Sequence, residues 1–302
     1  MFIVLGVMMG TAGYGDGLNT ERVNRILDAA AAQRVRLESG SGLVTVRQDL
    51  SSPDGNAFLV SEVLFNTEMA RFDILDGTVY RSLEKELGTL PRVKESVVLD
   101  GEKALRKTYL PAAFPYTIEE ESNIFFSHPM VLGLPGRPDS MADVGKALRR
   151  DWKAVHVTEA SGEGRVSIDL VPVEPSSEPA QILSITFDSG KDWSIVGYVL
   201  ESQYDSGNQY VSTASVEYDV REGVWFPRTI VREQTRNGEL QFTLRCEVLK
   251  VDWTRPVDPK QFTWEGLGIK PGDYVMSHVA GIASGPWGTA PTRAAHSSSV
   301  RR

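Results

Sequence analysis

The feature that most constrains this 302-residue chain is a pair of long β-type runs between Gly223 and Val275. The two runs are joined by Asn237-Gly238, and a turn at Asp258-Pro259 closes the second run. Asn and Gly tolerate the positive φ angles of a type I′ turn, so Asn-Gly between apolar runs predicts a β-hairpin. No residues in this stretch are arranged for chemistry. The stretch therefore predicts part of a large antiparallel sheet.

Further strand patterns occur on both sides of the middle third of the chain. Turn sequences such as Ser52-Pro53-Asp54-Gly55 and Asp205-Ser206-Gly207-Asn208 separate them. The other predicted strands are Leu43–Leu50, Ala57–Asn66, Ala70–Leu75, Thr78–Leu83, Ala154–Thr158, Val166–Val173, Ile182–Phe187, Trp193–Leu200 and Val211–Val220. Short strands joined by such turns favour an up-and-down antiparallel sheet, so the predicted fold class is mainly β with some helix (α+β).

Two helices are predicted. The first runs from about Thr20 to Arg36, with Asn19 or Thr20 as its cap. Its apolar residues have the spacing of one helical face, and they are Val23, Ile26, Leu27 and Ala30. The second helix is predicted at Asp139–Trp152, capped by Asp139 or Ser140. Both helices are expected to pack an apolar face on the sheet.

The region from about 90 to 152 differs in composition from the rest of the chain. Leu90 to Pro138 is rich in proline and is interpreted as part helix and part long loop. Its acidic run Glu119-Glu120-Glu121 lacks the spacing of a calcium-binding loop, so a solvated surface is favoured over a cation site.

The pattern of apolar residues indicates which sides of the strands are covered. Val211–Val220 has one apolar and one polar side, which predicts one wet side. The apolar side is Ala214, Val216, Tyr218 and Val220, and the polar side is Thr213, Ser215, Glu217 and Asp219. Trp193–Leu200 has apolar residues on both sides, which requires either more protein or a cavity for an apolar ligand. The apolar side changes near Val248-Leu249, which predicts a β-bulge or a sharp bend there and favours a curved sheet.

The charge of the chain bears on its partners. Its 40 acidic residues outnumber 32 basic ones, for a formal net charge of −8. Nucleic-acid binding depends mainly on a basic surface, so the composition argues against a nucleic-acid partner.

The two ends of the chain differ from its body. Met1 to Gly15 has no charged side chain, and its apolar run Phe2–Met9 is followed by small residues. The run is shorter than the ~20 residues of a membrane-spanning helix, so it predicts an export signal, with a buried N-terminal strand as the alternative. Ala283–Arg302 is rich in Ser, Ala, Gly and Pro and predicts a disordered tail. The predicted domain organisation is therefore a signal over 1–15, a single domain over 16–282 and a tail over 283–302.

Cys246 is the only cysteine, which excludes an intramolecular disulfide. It lies at an apolar position of an alternating run, so we expect it to be buried rather than reactive. The tryptophans, among them Trp193, Trp225 and Trp253, are interpreted as core residues in preference to a ligand site.

A search for catalytic and metal-binding patterns finds none. The histidines are scattered and lack metal-ligand spacing; they are His128, His156, His278 and His296. Ser82-Leu83-Glu84-Lys85 matches Ser-x-x-Lys without its companion motifs. Gly13–Gly17 lacks the Lys and Ser/Thr of a phosphate-binding loop. We therefore predict no catalytic, metal-binding or cofactor-binding residues, and the ligand-lining residues stay unassigned.

The last predicted strands and turns contain Val224-Trp225-Phe226-Pro227, the Asn237-Gly238 hairpin, and Asp258-Pro259 with Gln261-Phe262 before Gly272-Asp273. In these residues the chain resembles the closing strands of the LolA/LolB-like lipoprotein carriers, including proteins described as outer-membrane lipoprotein-sorting proteins. The resemblance covers about Asn19 to Val275 and includes no catalytic signature.

The resemblance implies a strongly curved antiparallel sheet, an incomplete barrel with helices that close its concave face. It implies an apolar cavity for the acyl chains of lipoproteins or other lipids, and a place in the periplasm. It is consistent with transient membrane contact and with an envelope protein partner. The chain is longer than a minimal carrier of this family, and the extra residues fall at about 90–152 and in the tail.

Three functions remain open at this point. The first is a periplasmic, non-enzymatic carrier that binds lipoprotein acyl chains or another lipid. The second is an envelope stress sensor or protein-interaction module with the same fold. The third is a hydrolase that acts on envelope material, which would need a catalytic cluster that the sequence does not show.

Overall fold

The computed structural model describes residues 20–38, 41–66, 69–77, 93–100, 103–109, 114–120, 148, 150–159, 164–173, 179–221, 223–252, 255–279 and 282–288. These residues form one helix, α1 (Thr20–Glu38), and a single 15-stranded open sheet. The mainly β fold class is confirmed. The closure of a concave face by several helices is not shown, because α1 is the one complete helix in the described ranges.

The strands follow one another along the chain and mostly pair with their neighbours in sequence. Their bounds are β1 (Gly42–Ser52), β2 (Gly55–Phe65), β3 (Met69–Gly77), β4 (Glu95–Asp100), β5 (Lys103–Thr108), β6 (Tyr116–Glu120), β7 (Trp152–Glu159), β8 (Arg165–Pro172), β9 (Ala180–Asp188), β10 (Ser194–Gln203), β11 (Gln209–Arg221), β12 (Val224–Arg236), β13 (Glu239–Asp252), β14 (Tyr274–Ser277) and β15 (Gly285–Pro286). Their order across the sheet is β15-β14-β6-β5-β4-β3-β2-β1-β13-β12-β11-β10-β9-β8-β7. Among the described strands, β14 and β6 are the one pair that runs parallel.

The predicted first helix is confirmed, and its apolar stripe packs on one side of the sheet. Val23, Ile26 and Leu27 are buried in a cluster with residues of β8 to β11. Gln33, six residues after Leu27, donates a hydrogen bond to the backbone oxygen of Trp225 on β12 (3.1 Å). We call the side of the sheet on which α1 packs the helix face, and the opposite side the outer face.

Local turn chemistry fixes the longest hairpin. Asn237 and Gly238 both have positive φ (52° and 81°) and connect β12 to β13, as the Asn-Gly pair predicts. At Asp258-Pro259 the predicted turn is a short 3₁₀ helix over Pro259–Phe262, and the Asp258 carboxylate accepts a hydrogen bond from the Lys260 amide (2.9 Å).

The bulge predicted near Val248-Leu249 is confirmed. Thr45 lies opposite Lys250 and Val46 lies opposite Val248, so Leu249 is an extra residue without a partner on β1. Val248 is buried, whereas Leu249 is 53% exposed. The extra residue therefore explains why the apolar side of β13 changes at this point.

The prediction that Trp193–Leu200 needs apolar neighbours on both sides is wrong. Ile195 lies opposite Phe187 and Gly197 opposite Thr186, so Val196 is a second bulge residue. The bulge turns Ile195 to the same side as Tyr198, and both belong to the cluster beneath α1. A single apolar layer on the helix face therefore satisfies this strand.

On β11 the predicted apolar side holds for Ala214 and Val216, which are buried. Val220, predicted to lie with them, is 55% exposed near the end of the strand.

The region 90–152 is predicted to be part helix and part loop. This prediction is wrong for its described residues up to 120, most of which form the strands β4, β5 and β6. These strands are short and carry charged residues on both faces, so the sequence shows little of the apolar alternation that identifies a strand. Glu119 is not part of a solvated run, because Arg106 pairs with it. Of the predicted helix Asp139–Trp152, the described Leu148, Arg150 and Asp151 are helical, and Trp152 begins β7.

A segment near the end of the chain covers the outer face of the N-terminal strands. Its apolar residues pack on Leu64, Val98 and Leu105, and they are Phe262, Trp264, Leu267 and Ile269. Polar contacts hold the segment in place: Arg71 Nη1 donates to the Gly266 oxygen (3.1 Å), and Lys107 Nζ donates to the Leu267 oxygen (2.6 Å). The outer face therefore has its own small core here.

The ends of the chain are only partly described. Residues 283–288, predicted as the start of a disordered tail, include β15, and Trp287 packs 5.5 Å from the ring of Trp264. Met1–Gly15, Thr78–Leu83 and residues 289–302 lie outside the described residues. The predicted division into signal, single domain and tail stays a prediction.

We expect Gly266→Ala to lower the free energy of unfolding by about 2 kcal/mol, because a core that is already filled resists an added methyl group. A Cβ at this position would collide with the backbone of the 3₁₀ turn, at 2.8 Å from the Gln261 Cα. Chemical denaturation measures the change. Gly285→Ala is the matched control, since a Cβ there has open space. Equal stability of the two variants would contradict this packing.

Candidate functional site: the apolar helix face

Register places nine residues of nine adjacent strands in one line across the helix face. The line, which we call the crossing row, is Val157, Ile168, Ile185, Tyr198, Ala214, Arg232, Leu244, Leu50 and Ala57. Paired residues on neighbouring antiparallel strands point to the same side, so these side chains share the helix face. Eight of the nine are aliphatic or aromatic, and Arg232 is the exception.

The two halves of the crossing row have different surroundings. Ile168, Ile185 and Ala214 are buried in the cluster that contains the α1 residues. On the other side of Arg232, the residues Leu244, Leu50 and Ala57 are only half-buried. Further along the same strands, Cys246 (two residues after Leu244) and Val46 (four residues before Leu50) belong to a second buried cluster. The half-buried end therefore offers apolar surface for a ligand.

A surface depression of about 300 Å³ lies at that end of the row. It is lined by the two arms of the β1–β2 hairpin. Leu50 and Ala57 belong to the helix face, whereas register places Asp49, Ser51, Asn56 and Phe58 on the outer face, so the depression lies at the edge between the two faces.

Two arginines lie among the polar groups of the helix face. Arg232 Nε donates to Ser212 Oγ (3.2 Å), and Gln234 occupies the position paired with Ser212. At the β4–β6 end, Arg106 lies between two carboxylates, with Nε at 2.8 Å from Glu95 Oε1 and Nη2 at 3.2 Å from Glu119 Oε2. The charge of Arg106 is more than compensated by these two carboxylates, so Arg232 is the more available cation.

The sequence-predicted residues fall in separate places. His156 and His278 are exposed on different strands or loops, and His128 and His296 lie outside the described residues. Ser82–Lys85, Gly13–Gly17 and Trp253 also lie outside them. In the described part of the chain, no three His, Cys, Asp or Glu side chains are grouped as metal ligands. The described residues also contain no helix that is both long and apolar enough to cross a membrane.

The core role predicted for tryptophan is confirmed for Trp193, which packs on the cluster beneath α1. Sequence reasoning missed Arg232, although one signal was present. Ile230 lies two positions before Arg232 and is strongly apolar. Because side chains two positions apart in a strand point to the same side, the sequence already places the charged Arg232 beside an apolar residue.

Cys246 is buried, as predicted, and is 1% exposed. Burial raises the pKa of its thiol to about 11, and a hydrogen bond from Gln48 Nε2 to the sulfur (3.6 Å) opposes that rise in part. A neutral thiol is a poor nucleophile, so Cys246 is a packing residue of the helix face.

Comparison with known proteins supports the fold. No family model and no curated protein sequence matches the chain. Solved structures do match, with 9–14% sequence identity. A LolA superfamily protein from Nitrosomonas europaea is 14% identical, with a TM-score of 0.50 over 80% of this chain and 97% of that one. A putative outer membrane lipoprotein-sorting protein domain from Vibrio parahaemolyticus is 10% identical, with the same TM-score and coverage.

A DUF1329 family protein from Desulfovibrio piger is also similar, with 9% identity and a TM-score of 0.52 over 81% of this chain and 98% of that one. These likenesses show that the protein has the LolA-like fold, as the resemblance in sequence predicts. Nearly the whole length of each of these structures is matched, so the fold extends over most of the described sheet.

We expect Cys246 to resist alkylation in the folded protein. At pH 8, iodoacetamide should react at least about 100-fold more slowly than with the protein unfolded in denaturant, because reaction needs an exposed thiolate. Mass spectrometry of the labelled chain measures both rates. A folded-state rate close to the unfolded one would contradict the buried position.

The raised pKa also predicts a dependence of stability on pH. The folded thiol stays protonated up to about pH 11, whereas the unfolded thiol ionises near pH 9. The unfolded state therefore binds fewer protons in this window, and Cys246 makes the free energy of unfolding fall by up to about 1.4 kcal/mol per pH unit. The decline measured from pH 9 to pH 11 should be smaller in Cys246→Ala. Parallel curves for the two proteins would overturn this assignment.

Proposed function

We propose that the protein is a periplasmic, non-enzymatic carrier that binds lipoprotein acyl chains or another lipid on its helix face. The crossing row is the observation that carries this proposal, because it provides an apolar strip, interrupted only at Arg232, with a half-buried end at Leu244, Leu50 and Ala57. The export-type pattern of Met1 to Gly15 supports a periplasmic location.

The physical basis is burial of hydrocarbon. Each CH₂ group removed from water contributes about 0.8 kcal/mol, so an acyl chain needs only an apolar surface to bind. The LolA-like fold of the chain is consistent with this use. The two solved structures that carry lipoprotein-sorting or LolA descriptions share the fold, and the function of this chain is inferred from the face itself.

Native mass spectrometry of the protein purified from a bacterial periplasm tests the proposal directly. A lipid-sized adduct that is released on denaturation, and identified after solvent extraction, is the expected result. A clean apo mass, together with no uptake of a fluorescent fatty acid, would overturn the carrier and favour a sensor or interaction module with the same fold.

We expect Leu244→Gln to weaken binding of a fluorescent fatty acid by about tenfold, because a polar amide replaces apolar surface that faces the ligand. Leu249→Gln is the matched control. It makes the same change on the same strand, at the bulge position where the side chain is 53% exposed. Fluorescence titration measures both affinities. If the two variants bind equally well, the ligand does not lie along the crossing row.

A further inference from the structure

Arg232 lies in the middle of the crossing row, between Ala214 on β11 and Leu244 on β13. It is half-buried, and partial burial of a guanidinium in apolar surroundings costs free energy unless its charge is compensated. Within the described chain its polar contact is the hydrogen bond from Nε to Ser212 Oγ, and a neutral hydroxyl does not balance the charge.

Two other arginines of the described strands, Arg71 on β3 and Arg106 on β5, are also half-buried, and both have compensating partners. Arg71 pairs with Asp73 on the outer face at 2.9 Å. Arg106 lies between Glu95 and Glu119. The described residues provide no such carboxylate for Arg232, so both terminal nitrogens of its guanidinium are available to an anion.

Neighbouring polar groups would complete an anion site. Ser212 is buried and lies opposite Gln234 in the register, which is two residues closer than Arg232 to the Asn237-Gly238 turn. A hydroxyl and an amide beside a guanidinium are donors that suit a carboxylate or phosphate, which guanidinium can bind through two parallel hydrogen bonds.

We propose that Arg232 binds the anionic head group of an acyl lipid whose chain runs from β12 towards the β1–β2 hairpin. This inference rests on the proposed carrier function and assigns its ligand class. The direction follows from the surroundings, because α1 residues pack on the other half of the row. From Arg232 to Ala57 the row crosses three strand spacings, or about 14 Å, over the half-buried side chains of Leu244 and Leu50.

The test compares lipids that differ only in the charge of the head group. Oleate and methyl oleate, each below its aggregation threshold, are titrated into the full-length protein and the affinities are compared. We expect the wild-type protein to bind oleate about 10- to 100-fold more tightly than the ester, the range for a hydrogen bond between charged groups. Oleoyl lysophosphatidate, titrated in the same way, distinguishes a phosphate from a carboxylate preference.

Variants then test whether Arg232 is the residue that causes the preference for oleate over methyl oleate. Arg232→Gln should lose much more affinity for oleate than for methyl oleate, so that its preference for oleate falls to about onefold. Arg232→Lys should keep part of the preference, because the charge remains. The matched control is Arg245→Gln, which removes the same charge from an exposed position on the adjacent strand and outer face. It should leave the preference unchanged.

The outcomes separate this inference from the carrier function. If the wild-type protein binds both lipids equally, or if Arg232→Gln keeps the full preference, Arg232 is not the anchor and the carrier function stands. If the wild-type protein binds none of the three lipids, the carrier function fails. The comparison of ligands on the wild-type protein gives a result even where a variant does not fold.

Discussion

The pairing of β1 with β13 is the constraint on which the rest of the molecule depends. Among the described strands, the other antiparallel pairs join strands that are neighbours in sequence, whereas this pair joins residues about 200 positions apart. It connects the N-terminal set β1–β6 to the C-terminal set β7–β13. Bringing such distant segments together costs chain entropy, which the long and well-paired ladder from Leu43 to Ser51 offsets.

The same pairing creates the proposed binding surface. Leu244 lies opposite Leu50, so the crossing row continues from one half of the sheet into the other at this ladder. The Leu249 bulge lies in the same ladder and keeps Val248 and Cys246 on the helix face despite the change of alternation. A sheet with a different register here would turn the apolar residues of one half to the outer face, because one step along a strand reverses the side.

The helix face combines a large apolar area with very few charges, and the position of those charges gives it a direction. Arg106 lies between the carboxylates of Glu95 and Glu119, so this group has a net charge of about −1. Arg232 lies where the half covered by α1 meets the half-buried end. An apolar strip with one cation near its middle suits an amphipathic ligand with an anionic head better than a neutral hydrocarbon, because the cation needs a counter-charge.

Much of the local structure was determined by the sequence alone. The Asn237-Gly238 turn, the apolar stripe of α1, the bulge at Leu249 and the burial of Cys246 each depend on residues close together in the chain, where backbone preference and periodicity act directly. The tertiary structure decided what depends on distant partners. It made strands of β4 to β6 against weak local patterns, turned Ile195 to the helix face through the Val196 bulge, and placed Arg232 in an apolar row. The physical reason is that register between strands is set by pairing across the whole sheet, and no local pattern contains it.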